Sequence, residues 1–342
     1  MAIRKDSAGR PQIETVSPEA AIAGGEIHIR GRGLAGADRP RVLLGDVSAR
    51  VVIGSDSFVI VRVPEGVAAD TLTVGDGGKS SASWRCAIGV QIAEGIHPVA
   101  NPAVDRWGNI FTTFSGARGQ KTPVAVFKID AALTLKPFVT DLMNASGLAF
   151  DRHGALYITS RHDGIVYKAD PDGALSVYIE GMGIATGLAF DAQDNLYVGD
   201  RSGTIFKISP DRQIYVFATL EPSIAAYHLA FGPGGGLYIA GPTTSSNESI
   251  YRVSPAGDPE VFYQGLGRPQ GLAFDADGRL YVAASLNGRK GVVRLAPGLP
   301  PELFVSGPNI TGLAFAPGGA MLLATTSTLY RLDAGIEGRP LP

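Results

Sequence analysis

From about residue 100 to the C-terminus, apolar and polar positions follow one pattern that repeats. A short apolar segment, GLAF in most copies, leads into a Gly/Asp-rich turn. A run such as LYITS or LYVGD follows, then a variable polar loop and a third run such as IVYKAD or TIFKIS. A second turn (DPDG, SPAG) precedes a fourth run such as LSVYIE or IYVFAT. Partial alternation, β-branched and aromatic enrichment and flanking turn residues predict a strand for each run. The central alanines Ala103, Ala149, Ala189, Ala230, Ala273 and Ala314 recur about every forty residues, a period that signals a repeat architecture. Four antiparallel strands in each of six units predict a six-bladed β-propeller.

The last unit runs out after three strands. The segment GVQIAEGIHPVANPAVD, which precedes the first unit, aligns with LSVYIEGMGIATGLAFD. Val90 to Ile96 is therefore expected to pair with the strand around Thr328 to Leu332 and close the ring, which protects an otherwise open edge. Phe150, Phe190, Phe231, Phe274 and Phe315 share one register position and are expected to be buried between blades. Residues before about Gly89 lack the period. Short alternating runs (EIHIRGRGL, RVLLGDVSARVV, SFVIVRVPEG, TLTVGDGG) predict an all-β sandwich there. The organisation is an N-terminal tail over 1–10, an immunoglobulin-like domain over 11–88, the propeller over 89–335 and a C-terminal tail over 336–342.

Composition narrows the function. Gly is 45 and Pro 23 of 342 residues, which disfavours long helices. Hydrophobic residues make up 45% of the chain, enough for a large core. A net charge of −2 with only 18% charged residues gives no footprint for nucleic acid or an anionic membrane surface. The single cysteine, Cys86, excludes an internal disulfide; its apolar setting predicts a buried, inert thiol. No run approaches the length of a transmembrane helix, and no apolar segment follows the basic N-terminus as in a signal peptide. As written, the chain is expected in the cytoplasm, and a processed secreted form is compatible with it.

Two resemblances add to this reading. Ser17-Pro18, Gly24-Gly25, Ile29-Arg30-Gly31 with Gly33-Leu34, Leu44-Gly45 and Val63-Pro64 resemble the TIG/IPT family of immunoglobulin-like domains, which implies an interaction or bracing module. The GLAFD…LYV units resemble NHL-repeat propellers and the gluconolactonase-like (SMP-30) group. That resemblance implies a fold that hosts hydrolases, lyases and binding platforms alike.

In such propellers, loops entering the inner strand and loops between the second and third strands share one face, here called the upper. The lower turns are short and uniform. The upper loops vary and carry chemistry, as binding loops on a rigid scaffold do. Arg118, Lys121, Arg161, Arg201, Arg289 and Lys290 outnumber Asp163, Asp200 and Glu248 between second and third strands. His228 stands where four other units have Gly, with Tyr227 before it. The candidate ligand-binding residues are Asn101, Arg118, Arg161, His162, Asp200, Arg201, Tyr227, His228, Gln270 and Arg289. No catalytic residue is assigned. Arg161, Arg201, His228 and Gln270 are expected to ring one upper cavity suited to an anionic or hydroxyl-rich molecule; the alternative is that they bond loop backbone and close the channel.

The gluconolactonase-like resemblance implies a divalent cation held by carboxylate and carboxamide groups at the inner-strand starts. The matching positions are Asn101, Ser146, Thr186, Tyr227, Gln270 and Thr311, with no carboxylate among them, which is poor chemistry for a hard cation. Two readings stand. One is a non-catalytic binding protein for a small ligand or a protein partner, without cofactor. The other is a sugar-lactone hydrolase, with a cation such as calcium.

Overall fold

The computed structural model describes residues 10–35, 39–75, 78–117, 119–245 and 247–340. Among these the fold is all-β, with a propeller-like arrangement of sheets; the one helical element is the 3-10 turn Pro233–Gly235.

The N-terminal segment departs from the expected two-sheet sandwich. Seven of its strands lie in one continuous, nearly closed sheet. The cause is the long strand Val47–Gly54, which pairs with Arg41–Leu44 on one side and Phe58–Arg62 on the other. A register shift between Val51 and Ile53 bends this strand from one half of the sheet to the other, as bulges do. Inward-facing residues of alternating strands fill the interior: Ile27, Ile29, Val42, Leu44, Val59 and Val61 are fully buried.

The repeats form five separate four-stranded sheets. The last of them is completed by Val90–Glu94, which pairs with Thr328–Asp333 through Val90↔Arg331 and Glu94↔Thr328. This is the closure read from the missing fourth strand. The expectation of six separate four-stranded blades is corrected at the fifth repeat, Leu272–Phe274 to Glu302–Ser306. Its sheet has six strands, because Ala20–Ala21 and Ala87–Ile88 of the N-terminal segment add to its outer edge in parallel. The Ile22 amide donates to the Ser306 carbonyl at 2.9 Å, and the Glu26 amide to the Ser306 hydroxyl at 2.8 Å. Ile22, fully buried, packs with Tyr281, Val305, Leu313 and Met321 of the repeats. The two regions thus share both a sheet and a core.

An aromatic ladder joins neighbouring sheets. Phe190 meets Tyr157 of the preceding unit edge-on at 4.9 Å between centroids, and Tyr157 also meets Tyr178 of its own fourth strand. The same triad recurs as Phe231–Tyr197–Phe217, Phe274–Tyr238–Phe262 and Phe315–Tyr281–Phe304. Edge-to-face contact suits the ring quadrupole, so each repeat locks onto the one before it. Phe150, Phe190 and Phe274 are buried as expected, whereas Phe231 and Phe315 are only half-buried.

Candidate functional site

The inner strands surround a central cavity of about 800 Å³. The small residue of each GLAF segment faces it, including Ala149, Ala189, Ala230 and Ala273, with Leu188 and Leu229 beside them. Alanine at these positions leaves the axis open; larger side chains there would fill it.

The end of the cavity at the inner-strand starts is closed by close backbone approach and polar stitching. A Cβ on Gly187 would lie 2.2 Å from the Tyr227 carbonyl oxygen, and one on Gly312 2.4 Å from that of Ala100, so only glycine lets these strands converge. Asn101 reaches across this end. Its Nδ2 donates to the Leu272 carbonyl at 2.9 Å, and its Oδ1 accepts from the Leu313 amide at 3.0 Å. Ser146 donates to the Ala185 carbonyl, and Thr186 accepts from the Tyr227 amide.

At the other end the wall is formed by the exposed turns between first and second strands, including Ala192, Gln193 and Gly235. The cavity therefore opens on the lower face, opposite to the expected one. Its mouth extends outward between the third and fourth units over Tyr197, Lys207, Phe217 and Pro255. The fourth repeat departs from the pattern at this mouth. The fourth unit reads FGPGGG where three others read FD. In those others the aspartate organises the turn: Asp191 accepts from the Gln193 and Asn195 amides, the Asn195 carboxamide and the Tyr197 hydroxyl. In the fourth unit Gly232 takes the place of that aspartate, and the Tyr238 ring closes over it: a Cβ there would lie 2.5 Å from Tyr238 Cε2. Phe231 beside it is half-exposed.

His228 lines the cavity near its closed end, with 3% of its surface exposed. Burial pushes its imidazole down to about 4, so the ring is neutral near pH 7. Its buried Nε2 has no hydrogen-bond partner among the described residues, a costly condition that ligands or water commonly relieve.

Of the candidates read from sequence, only Asn101 and His228 reach this cavity. Arg161 donates to the Gly116 carbonyl at 2.9 Å, Arg201 to the Ile224 carbonyl at 2.8 Å, and Arg289 to the Ser17 carbonyl at 2.9 Å. Arg161 and Arg201 thus tie down loop backbone, part of the alternative weighed for them, and Arg289 holds the end of the strand Gln12–Ser17. Asp200 accepts from the Ile184 amide at 2.8 Å and from the Ser202 hydroxyl. Tyr227 is buried and donates to the Glu221 carbonyl; burial raises its phenol. His162 is exposed and Gln270 half-buried, neither on the cavity wall. Arg118 lies outside the described residues. Lys207 and the wall alanines escaped the sequence reading, although FGPGGG visibly marked the repeat that departs from the pattern at the mouth.

The inner-strand starts do not fit a divalent cation. Both ends of the Asn101 carboxamide are engaged by protein, Ser146 and Thr186 bond backbone, and no carboxylate joins them. Among the described residues no group of three His, Cys, Asp or Glu side chains is arranged to hold a metal. Among the same residues no helix is long and apolar enough to cross a membrane.

Residues 11–83 match the IPT/TIG domain model. No curated protein matches the sequence. Among solved structures, a gluconolactonase from Xanthomonas campestris is similar with a TM-score of 0.61 at 16% identity, covering 75% of this chain and 90% of its own. An auxiliary nutrient binding protein from Bacteroides thetaiotaomicron has a TM-score of 0.55 at 12% identity, covering 95% of this chain and 98% of its own. Another from Bacteroides ovatus has a TM-score of 0.54 at 13% identity, with 95% and 98% covered. These identities establish likeness of fold. The N-terminal segment is an IPT/TIG domain, and it is joined to a repeat domain whose structural neighbours are gluconolactonase-like and related propeller proteins.

Proposed function

We propose that this protein is a non-catalytic binding protein whose central cavity takes a small molecule from the lower face. The observation that carries the reading is the cavity itself. Its volume falls within the few hundred to about a thousand Å³ typical of ligand sites. It combines an apolar wall with one neutral, unpartnered imidazole at depth. The likeness to nutrient-binding proteins over nearly the whole chain agrees with it. The IPT/TIG domain braces the fifth repeat through Ala20–Ala21 and leaves the lower mouth free.

The sugar-lactone hydrolase reading has the fold in its favour, but the donor set at the inner-strand starts opposes it. A calorimetric and thermal-shift screen of small molecules against wild type and Ala189→Phe tests the proposal. Ligands should stabilise the wild type and lose binding when the added ring fills the axis. Ligands that bind both proteins equally would overturn it. Gluconolactone hydrolysis abolished by a chelator would instead favour the enzyme.

A further inference from the structure

The chemistry of the mouth goes further than the presence of a cavity. Two cations stand there, Lys207 from a third strand and Arg339 from the C-terminal segment. That segment crosses the lower face on three backbone bonds: Ile336 amide to Gly319, Ala276 amide to Glu337, and Arg339 amide to Phe274. Neither cation forms an ion pair with a described residue. Lys207 sits 5.5 Å from the centre of the Tyr197 ring. Its counterparts Lys128 and Lys168 rest on Phe111 and Tyr157 in the same way, yet neither of those reaches the cavity. Among the described residues the one carboxylate on the cavity wall, Asp191, already accepts four hydrogen bonds at its own turn. The mouth is therefore cationic, whereas the axis beyond it is apolar. From Gly232 at the mouth to His228 is four residue steps of strand, roughly 13 Å at ~3.3 Å per residue.

We propose, on the reading that the cavity is a ligand site, that its ligand is an amphiphilic carboxylate. The apolar body of a medium-chain acid fits along Ala189, Ala230 and Leu229. The carboxylate sits at the mouth that Lys207 and Arg339 line, where either cation offers a charge-assisted hydrogen bond. The far end of the ligand meets His228, which is neutral and so does not repel an apolar terminus, although an alkyl end leaves its Nε2 without a hydrogen bond. Of the anionic or hydroxyl-rich ligand expected at the upper loops, this keeps the charge and moves it to the lower face, because those loop arginines are bonded to backbone and the cavity wall has few polar side chains.

Decanoate, decanol and gluconate, titrated by calorimetry, are the probes. Wild type should bind decanoate at least tenfold more tightly than decanol, and added salt should shrink that ratio. Lys207→Met with Arg339→Ala should bring the ratio close to one while decanol binding persists. Ala189→Phe should abolish binding of both. If it does not fold, displacement of decanoate by decanol from wild type reports the shared site. Equal binding of decanoate and decanol, both lost in Ala189→Phe, would overturn the carboxylate and keep the cavity reading. Binding of gluconate alone would overturn this proposal, and if that binding survived Ala189→Phe it would overturn the cavity reading too. Binding of none of the three overturns the amphiphile, and the broader screen then decides the cavity.

Discussion

Lowering the pH from 7 to 4 tests the burial of His228 directly. An imidazole in an unfolded chain titrates near 6.5, while burial alone holds this one at about 4 in the folded protein. Between those values the unfolded state takes up a proton that the folded state refuses. Stability from this residue is therefore complete above about pH 7, falls as the pH drops through 6.5 toward 4, and levels off below. At 1.36 kcal/mol per unit, the loss amounts to roughly 3 kcal/mol. His28 is also lowered, by burial and then by Arg289, so the comparison must isolate His228. Guanidinium unfolding followed by circular dichroism, from pH 7.5 to 4, on wild type and His228→Phe does so. The phenyl ring keeps much of the volume and removes the titration. Wild type should lose about 3 kcal/mol more than the variant over that window, and the ring resonances of His228 should titrate near 4. Parallel stability curves, or a ring that titrates near 6.5, would refute the claim that this imidazole is buried and neutral.

Three further outcomes follow from burial. Phe190→Ala should cost about 3 to 5 kcal/mol and Phe231→Ala distinctly less, since Phe190 is 5% exposed and Phe231 only half-buried; equal shifts in the urea midpoint would contradict the ladder's unevenness. Ile22→Ala, although it changes the IPT/TIG domain, should destabilise the repeat domain by about 2 to 5 kcal/mol, read as faster hydrogen exchange in 280–295; unchanged exchange there would mean the shared core is not coupled. Cys86 is fully buried, and burial together with Glu19 pushes its thiol up to about 12. It should resist a thiol reagent at pH 8 until denaturant is added, and prompt labelling of the native protein would count against that burial.

Much of the fold was legible because repeats report register. The recurring GLAF segments located the inner strands, and an unfinished last unit revealed the closing role of Val90–Glu94. The addition of Ala20–Ala21 to the fifth repeat was not legible. Two residues carry no periodicity, and their pairing depends on a distant edge at Ser306. The site was harder to read. His228 stood out as a departure from the repeat and Asn101 as a position matching the ligand set of the resembling family, and both reach the cavity. The loop arginines did not, because a guanidinium finds a nearby carbonyl wherever loop backbone lacks a partner, and sequence does not disclose which carbonyls those are. The departure at the mouth was written in FGPGGG, a deviation in a turn that looked like structural punctuation.

The joining of chain beginning to chain end has a consequence in time. Glu26 and Ser306, bonded in the folded protein, are 280 positions apart, and Val90–Glu94 likewise waits for the final strand. A ribosome adding about 5 to 20 residues per second needs roughly a quarter of a minute to a minute to bridge the first of these gaps. Throughout that interval the nascent chain presents strand edges whose only native partners have yet to be made. Release before the last repeat would leave the Val90–Glu94 edge bare, so premature termination near the C-terminus should be far more damaging in the cell than the small number of missing residues suggests.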